Sequence, residues 1–298
     1  MKNILLFVTP CLIWGSTWYV ITFQVGEVDP LFSVSYRFAL AGVLMLVICS
    51  IMKLNLKFTR KEHAFILLQG LLIFGFNYWL MYMSELYLTS GVVGLIFSLL
   101  VFFNMINSRI FLKTPFEKKV IFGGVLGIIG TAFIFQEDLS HFTFSDTKIM
   151  GLLMAIGGTI IASFGNITSA RNQAAGIPVI QSNAFGMFYG AVAMFLVAIF
   201  SGKTPTFEMT LDYTLSLIYL TIFGSIIAFG SYLTLIGKIG ASKAAYVSLV
   251  IPIIALTIST FLEGYTWTVI SFSGAALIII GNVIALRLSR KRKVEVAE

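Results

Sequence analysis

Ten long apolar runs govern what this 298-residue chain can fold into. They are Ile4–Phe23, Leu31–Met52, Ala64–Met83, Thr89–Asn107 and Val120–Phe135, then Ile149–Ser169, Ile180–Phe200, Tyr213–Leu235, Ala244–Leu262 and Thr268–Leu286. A hydrocarbon core of roughly 30 Å takes about 20 residues of helix to cross. Backbone groups in hydrocarbon must be satisfied within the segment, so unbroken apolar runs of this length read as helices. Arg37 is the only charged residue inside any of them. The expected fold is an all-α integral membrane protein with ten transmembrane helices. Composition agrees: 58% of residues are hydrophobic and 11% charged, where a soluble domain carries about 25% charged residues.

The first run follows Lys2, as a signal peptide would, but it carries Trp14 and Trp18 and has no small-residue cleavage site. It reads as a retained helix. Lys and Arg stay on the cytoplasmic side of a membrane, which fixes the orientation. With the N-terminus inside, all of the 20 Lys and Arg except Lys148, Lys203 and Arg37 fall in cytoplasmic segments. Both termini are therefore expected in the cytoplasm, with Arg290–Lys293 as a topology anchor near anionic lipid. The net charge of +7 then has no need of nucleic acid as a partner.

Several chemistries lack their residues. Cys11 and Cys49 lie inside apolar runs, His63 and His141 have no metal-ligand spacing, and no GxxxxGK[ST] loop occurs. Neither metal nor other cofactor is expected. Glu85 and Glu263 stand at outer helix ends and no Asp or Glu lies deep in a run, so a buried carboxylate relay has no support at this level.

Shifted by 150 residues, the chain partly overlays itself: Gly15 meets Gly165, Tyr82 meets Tyr232, Ser98–Leu99 meets Ser248–Leu249, and Gly124 meets Gly274. Near the second helix of each half the shift is 148, pairing Pro30 with Pro178 and Gly42 with Gly190. The expected organisation is a first five-helix repeat over residues 1–140 and a second over 141–298 with the basic tail. Five is odd, so the second copy enters the membrane from the opposite side. Inverted repeats characterise secondary transporters, whose halves exchange conformations around a site near the midplane.

The polar and small residues inside the runs are the candidates for that site. Trp14, Gly15 and Ser16 lie midway along helix 1, and Phe164, Gly165 and Asn166 midway along helix 6. The pairing of an aromatic with a small polar group suits a cavity wall, while packing is the plainer reading. Asn77, Tyr78 and Tyr82 on helix 3 and Tyr232 on helix 8 need hydrogen-bond partners, so they face the bundle interior or, for Tyr82, an aromatic belt. Helix 4 offers Phe102 and Asn104; helix 9 offers Ser248 and, as a kink or hinge, Pro252 at the position that Phe102 holds in the first half. The glycines Gly15 and Gly165 are further hinge candidates. Arg37 either meets an anionic substrate group or fixes structure. The spaced glycines Gly123/Gly127 and Gly186/Gly190 suit internal packing or a homodimer.

Together, Trp14-Gly15-Ser16-Thr17, Pro30 with Tyr36-Arg37-Phe38, Ser248 to Pro252, and Glu263-Gly264 resemble the EamA family of the drug/metabolite transporter superfamily. The glycine-spaced helices around Gly124 and Gly274 fit too, and the resemblance runs through both halves. It implies a ten-helix fold of two inverted repeats in the bacterial inner membrane and export of amino acids or other small metabolites. It also implies a cavity between helices 1, 3, 4, 6, 8 and 9, which maps onto Trp14, Tyr78, Tyr82, Asn104, Asn166 and Tyr232, with helices 5 and 10 as scaffold. The sequence departs from the pattern at Phe102, where proline is common, at Lys113, where an acidic residue is usual, and at Phe164, in place of tryptophan.

The functional expectation is a secondary transporter of small organic solutes by alternating access, as monomer or homodimer. Its rivals are a non-transporting receptor or assembly scaffold, and an intramembrane enzyme. The last lacks His, Asp or Glu within the runs to serve as a base.

Overall fold

A computed structural model describes residues 2–114, 118–134, 147–245 and 247–287. The junction between the expected repeats at 140 and the basic tail Arg290–Lys293 lie outside the described residues. The chain forms α1 (Lys2–Ile21), α2 (Pro30–Ile51), α3 (Arg60–Glu85), α4 (Ser90–Leu112), α5 (Lys118–Ile134), α6 (Thr147–Ala174), α7 (Val179–Phe200), α8 (Leu211–Ile239), α9 (Val247–Leu262) and α10 (Val269–Arg287). No strand occurs among the described residues. Seven of these helices, α1 to α4 and α6 to α8, are long and apolar enough to cross a membrane. The apolar stretches of the other three, Val125–Ile134, Val250–Leu262 and Val269–Gly281, are shorter.

Local chemistry sets the helix ends. Asp29 caps α2 by accepting from the Leu31 amide at 2.9 Å, with Pro30 in the first turn, where its missing N–H costs nothing. Thr59 and Glu62 form a reciprocal capping box at the start of α3. Gly240, at φ +83°, turns the chain out of α8 into the short helix Ala241–Ala244 that precedes α9.

Two interruptions recur in both halves. Helix α3 widens to π geometry over Gly70–Phe76 and α8 does so over Leu220–Ile227, 150 residues on. A π segment carries i→i+5 bonds and is found disproportionately at functional sites. In α4 a turn at Ser98–Leu99 separates two helical pieces; in the second half a turn at Ala245 separates Ala241–Ala244 from α9.

The packing pairs have the same symmetry. α2 lies on α7 and α5 on α10. α1 lies on α8 and α9, and α6 correspondingly on α3 and α4. Close approach at these seams needs glycine. A Cβ on Gly274 would come within 2.6 Å of the Gly130 carbonyl, and one on Gly281 within 2.5 Å of that of Gly123. Gly190 faces the backbone of Gly70 and Phe74, and Gly186 the Phe74 ring. The spaced glycines of α5 and α7 are thus occupied in contacts within the chain.

Candidate functional site

A cavity lies where the two halves meet. From α1 it takes Trp14, Thr17, Trp18 and Ile21, one helical stripe. From α3 come Ile73, Asn77, Tyr78 and Met81; from α4, Phe97 and Leu100; from α6, Ala162 and Asn166; from α8, Phe229 and Tyr232; and from α9, Ile251. The cavity among them is small, about 30 Å³. Aromatic rings pack around it. The Trp14 ring packs at a steep angle on Phe229 at 4.8 Å and on Tyr232 at 5.0 Å, the favoured edge-on arrangement. Every lining side chain is uncharged.

The polar groups of the lining fall into two sets. In the first, each is tied into the bundle. Trp14 Nε1 donates to the Gly224 carbonyl in the α8 π segment at 3.0 Å. Asn166 Nδ2 donates to Tyr232 Oη at 3.2 Å and to Asn104 Oδ1 at 3.4 Å. Asn104 Nδ2 reaches the Ala241 carbonyl at 3.5 Å, at the outer limit of a hydrogen bond. This chain joins α4, α6, α8 and the entry to α9. The second set is Trp18 Nε1, a donor, and Asn77 Oδ1, an acceptor; both atoms are buried without a hydrogen-bond partner. Such groups are costly in an apolar interior and are met by a ligand in a working site.

Behind Tyr78, away from the cavity, sits Arg37, 0% exposed. Its Nε donates to Ser225 Oγ at 2.9 Å and its Nη1 to Tyr82 Oη at 3.2 Å. The guanidinium stacks over the rings of Tyr78 and Phe38, 4.6 and 5.1 Å from their centres. Its Nη2 has no partner. Glu85, at the end of α3, is 8% exposed, and neither of its carboxylate oxygens has a hydrogen-bond partner among the described residues. Glu263 differs: it accepts from the Ser90 amide at 3.2 Å and the Ser90 hydroxyl at 2.5 Å, capping α4 from the end of α9.

Comparison with known proteins places this architecture. The model of the EamA-like transporter family matches residues 1–136 and 149–287. The chain belongs to the EamA-like transporter family. Among its relatives, Protein PagO of Salmonella typhimurium is 24% identical over 285 residues, covering 96% of this chain and 91% of the relative. The uncharacterized inner membrane transporter YedA of Escherichia coli is 27% identical, covering 92% and 87%. The uncharacterized transporter YyaM of Bacillus subtilis is 28% identical, covering 95% and 93%. One crystal structure superposes with a TM-score of 0.73 at 18% identity, covering 97% of this chain and 98% of that one, a likeness of fold.

The EamA fold brings Trp14, Asn77, Tyr78, Asn166 and Tyr232 together on the cavity, with Asn104 directly behind Asn166. Other sequence candidates stand outside the lining. Ser16 bonds the Ile13 carbonyl and Tyr219 Oη, both at 2.8 Å, on the far side of α1. Phe102 faces α5, where Gly127 makes room for its ring. Phe164 is 36% exposed and meets Phe111. Ser248 bonds the Ala245 carbonyl at 2.7 Å, and Tyr82 is committed to Arg37.

The hinge candidates also have packing roles. α1 runs unbroken through Gly15, where a Cβ would come within 2.6 Å of Ile254 Cβ. One on Gly165 would overlap the Ile73 side chain. Pro252 is buried within an unbroken α9. The lining residues not singled out from sequence are mostly apolar. Thr17 and Phe229 had a legible signal, since each lies three residues from a lining aromatic on its own helix.

Proposed function

We propose that this EamA-family protein is a secondary transporter of small, neutral or zwitterionic organic solutes, amino acids among them, working by alternating access around the cavity between its halves. All ten helices cross the membrane in this reading, the second half inverted with respect to the first and both termini cytoplasmic. The membrane is the bacterial inner membrane, as the name of the relative YedA indicates. The observation that carries the reading is a pair of buried groups without partners among the described residues, Trp18 Nε1 and Asn77 Oδ1, in an uncharged lining. They offer one donor and one acceptor to a solute flanked by aromatic faces. A charged lining would favour ions; this one favours a solute whose charges are absent or balanced.

The small cavity fits a closed form in which the aromatic side chains fill the space a solute takes. Loading then requires Trp14, Trp18 and Phe229 to separate, which a rocking of the halves supplies. Export is the direction favoured by the family resemblance.

The test is counterflow in proteoliposomes containing only the purified protein, with labelled amino acids and small metabolites offered in turn. Accumulation of one label against its unlabelled counterpart, lost in a Trp14→Ala, Asn166→Ala variant that still purifies as a folded species, supports the reading. Absence of counterflow across the panel from folded protein moves the weight to a receptor or assembly scaffold.

A further inference from the structure

We propose that Glu85 is a proton-binding site at the outer end of the cavity, protonated while that end is closed and ionised when it opens. Asn77, Met81 and Glu85 are spaced by four along α3, so they lie on one helix face. Asn77 and Met81 line the cavity, and Glu85 continues their stripe one turn further out, in the topology proposed above. Two contacts close this end over it. Tyr87 and Leu88 pack against α6 at Gly151, and Glu263 binds Ser90.

In that enclosure both carboxylate oxygens of Glu85 are without a donor among the described residues. An ionised carboxylate so placed is far costlier than a neutral carboxyl group. The charged and titratable groups that act on it are few. Arg37 on α2 and Glu263 at the end of α9 both act on it electrostatically. Tyr78 and Tyr82 on α3 interact with it as well, and Tyr82 stands hydrogen-bonded to Arg37. Arg37 already spends two of its nitrogens on Ser225 and Tyr82 and makes no ion pair with Glu85 among the described residues.

A proton suits the site better than a metal cation. Among the described residues no three His, Cys, Asp or Glu side chains gather to hold a metal, and the nearby guanidinium repels one. The reaction is the loss of one proton from the Glu85 carboxyl to water as the outer end opens, and its return on closing. A carrier that must protonate Glu85 to close binds a proton in each cycle.

The experiment places a single cysteine at Met81 in a Cys11→Ser, Cys49→Ala background and labels it from outside intact cells with a membrane-impermeant maleimide over a pH series. Labelling is normalised to a cysteine at Met209, which is 88% exposed on the loop before α8. The normalised rate is expected to rise severalfold from mildly acidic to mildly alkaline pH with Glu85 present. It is expected to stay low and flat in Glu85→Gln, whose neutral amide matches the closed form. The inference rests on alternating access, and the outcomes separate the two. No labelling of Met81→Cys at any pH overturns alternating access and the inference with it. Labelling whose pH profile is unchanged by Glu85→Gln overturns the proton site alone. As a second reading, the infrared carbonyl band of a protonated carboxyl in the purified protein is expected to weaken in Glu85→Gln; an unchanged band overturns the assignment.

Discussion

Trp14 Nε1 donates to the carbonyl of Gly224 at 3.0 Å, a bond that ties the first helix of one half to the π segment in the third helix of the other. The indole also lines the cavity, edge-on to Phe229 and Tyr232. One side chain therefore both shapes the cavity and joins the two halves.

Trp14→Phe separates these roles. It keeps an aromatic ring in the cavity and deletes the donor. Stability against denaturant in detergent should fall by about 1 kcal/mol, the scale of one interhelical hydrogen bond in a membrane protein. Trp14→Ala should cost more, because it also opens a void beside Phe229 and Tyr232. Equal losses in unfolding measurements on the two variants would mean that the ring contacts add nothing.

Asn166 is the node between Tyr232 and Asn104. Asn166→Ala should abolish most counterflow of a transported solute, since it empties a lining position and frees both partners. Tyr232→Phe removes one hydroxyl from the chain and keeps the ring against Trp14, so its flux should fall less. Comparing initial rates and apparent affinities for the two variants checks the order. A Tyr232→Phe defect larger than that of Asn166→Ala would place the hydroxyl, rather than the amide, at the solute.

The helical architecture was largely legible in the sequence, because long apolar runs report on it directly. What separated cavity residues from their neighbours was the helical period. Trp14, Thr17, Trp18 and Ile21 share a stripe, and Ser16, inside the same polar cluster, is turned away from it. Asn166 faces inward and Phe164, two residues earlier, faces outward for the same reason. Treating each cluster as a unit hid this. The π segments went unread although both carry the same tripeptide, Ile73-Phe74-Gly75 and Ile222-Phe223-Gly224. The burial of Glu85 was equally hidden. Just past it, Tyr87 and Leu88 pack against Gly151, a contact between segments far apart in sequence.

The seam between α5 and α10 makes a prediction about the scaffold. Gly130 and Gly274 approach so closely that each would drive a Cβ into the other's carbonyl, at 2.5 and 2.6 Å. Gly274→Leu should force these helices apart and cost about 2 kcal/mol or more, as overpacking does. Because neither helix contributes to the cavity lining, the fraction that still folds should keep its solute affinity. Monodispersity on size exclusion and binding to the purified fraction measure the two effects separately.

Arg37 and Glu85 provide a thermodynamic cycle. Arg37→Met strands Ser225 and Tyr82 without their buried donor and should destabilise the protein by about 1–3 kcal/mol. Glu85→Gln should be nearly neutral at mildly acidic pH if Glu85 is protonated in the closed form. The two effects should then add in the double variant, because a neutral carboxyl has no charge to balance that of Arg37. An ionised Glu85 gives the opposite pattern: Arg37→Met leaves a buried carboxylate unbalanced, and Glu85→Gln rescues the loss. Unfolding free energies of the wild type, both single variants and the double variant at mildly acidic pH distinguish the two. Raising the pH should increase the coupling, as the proton on Glu85 becomes harder to keep and the Arg37 charge then has a carboxylate to balance.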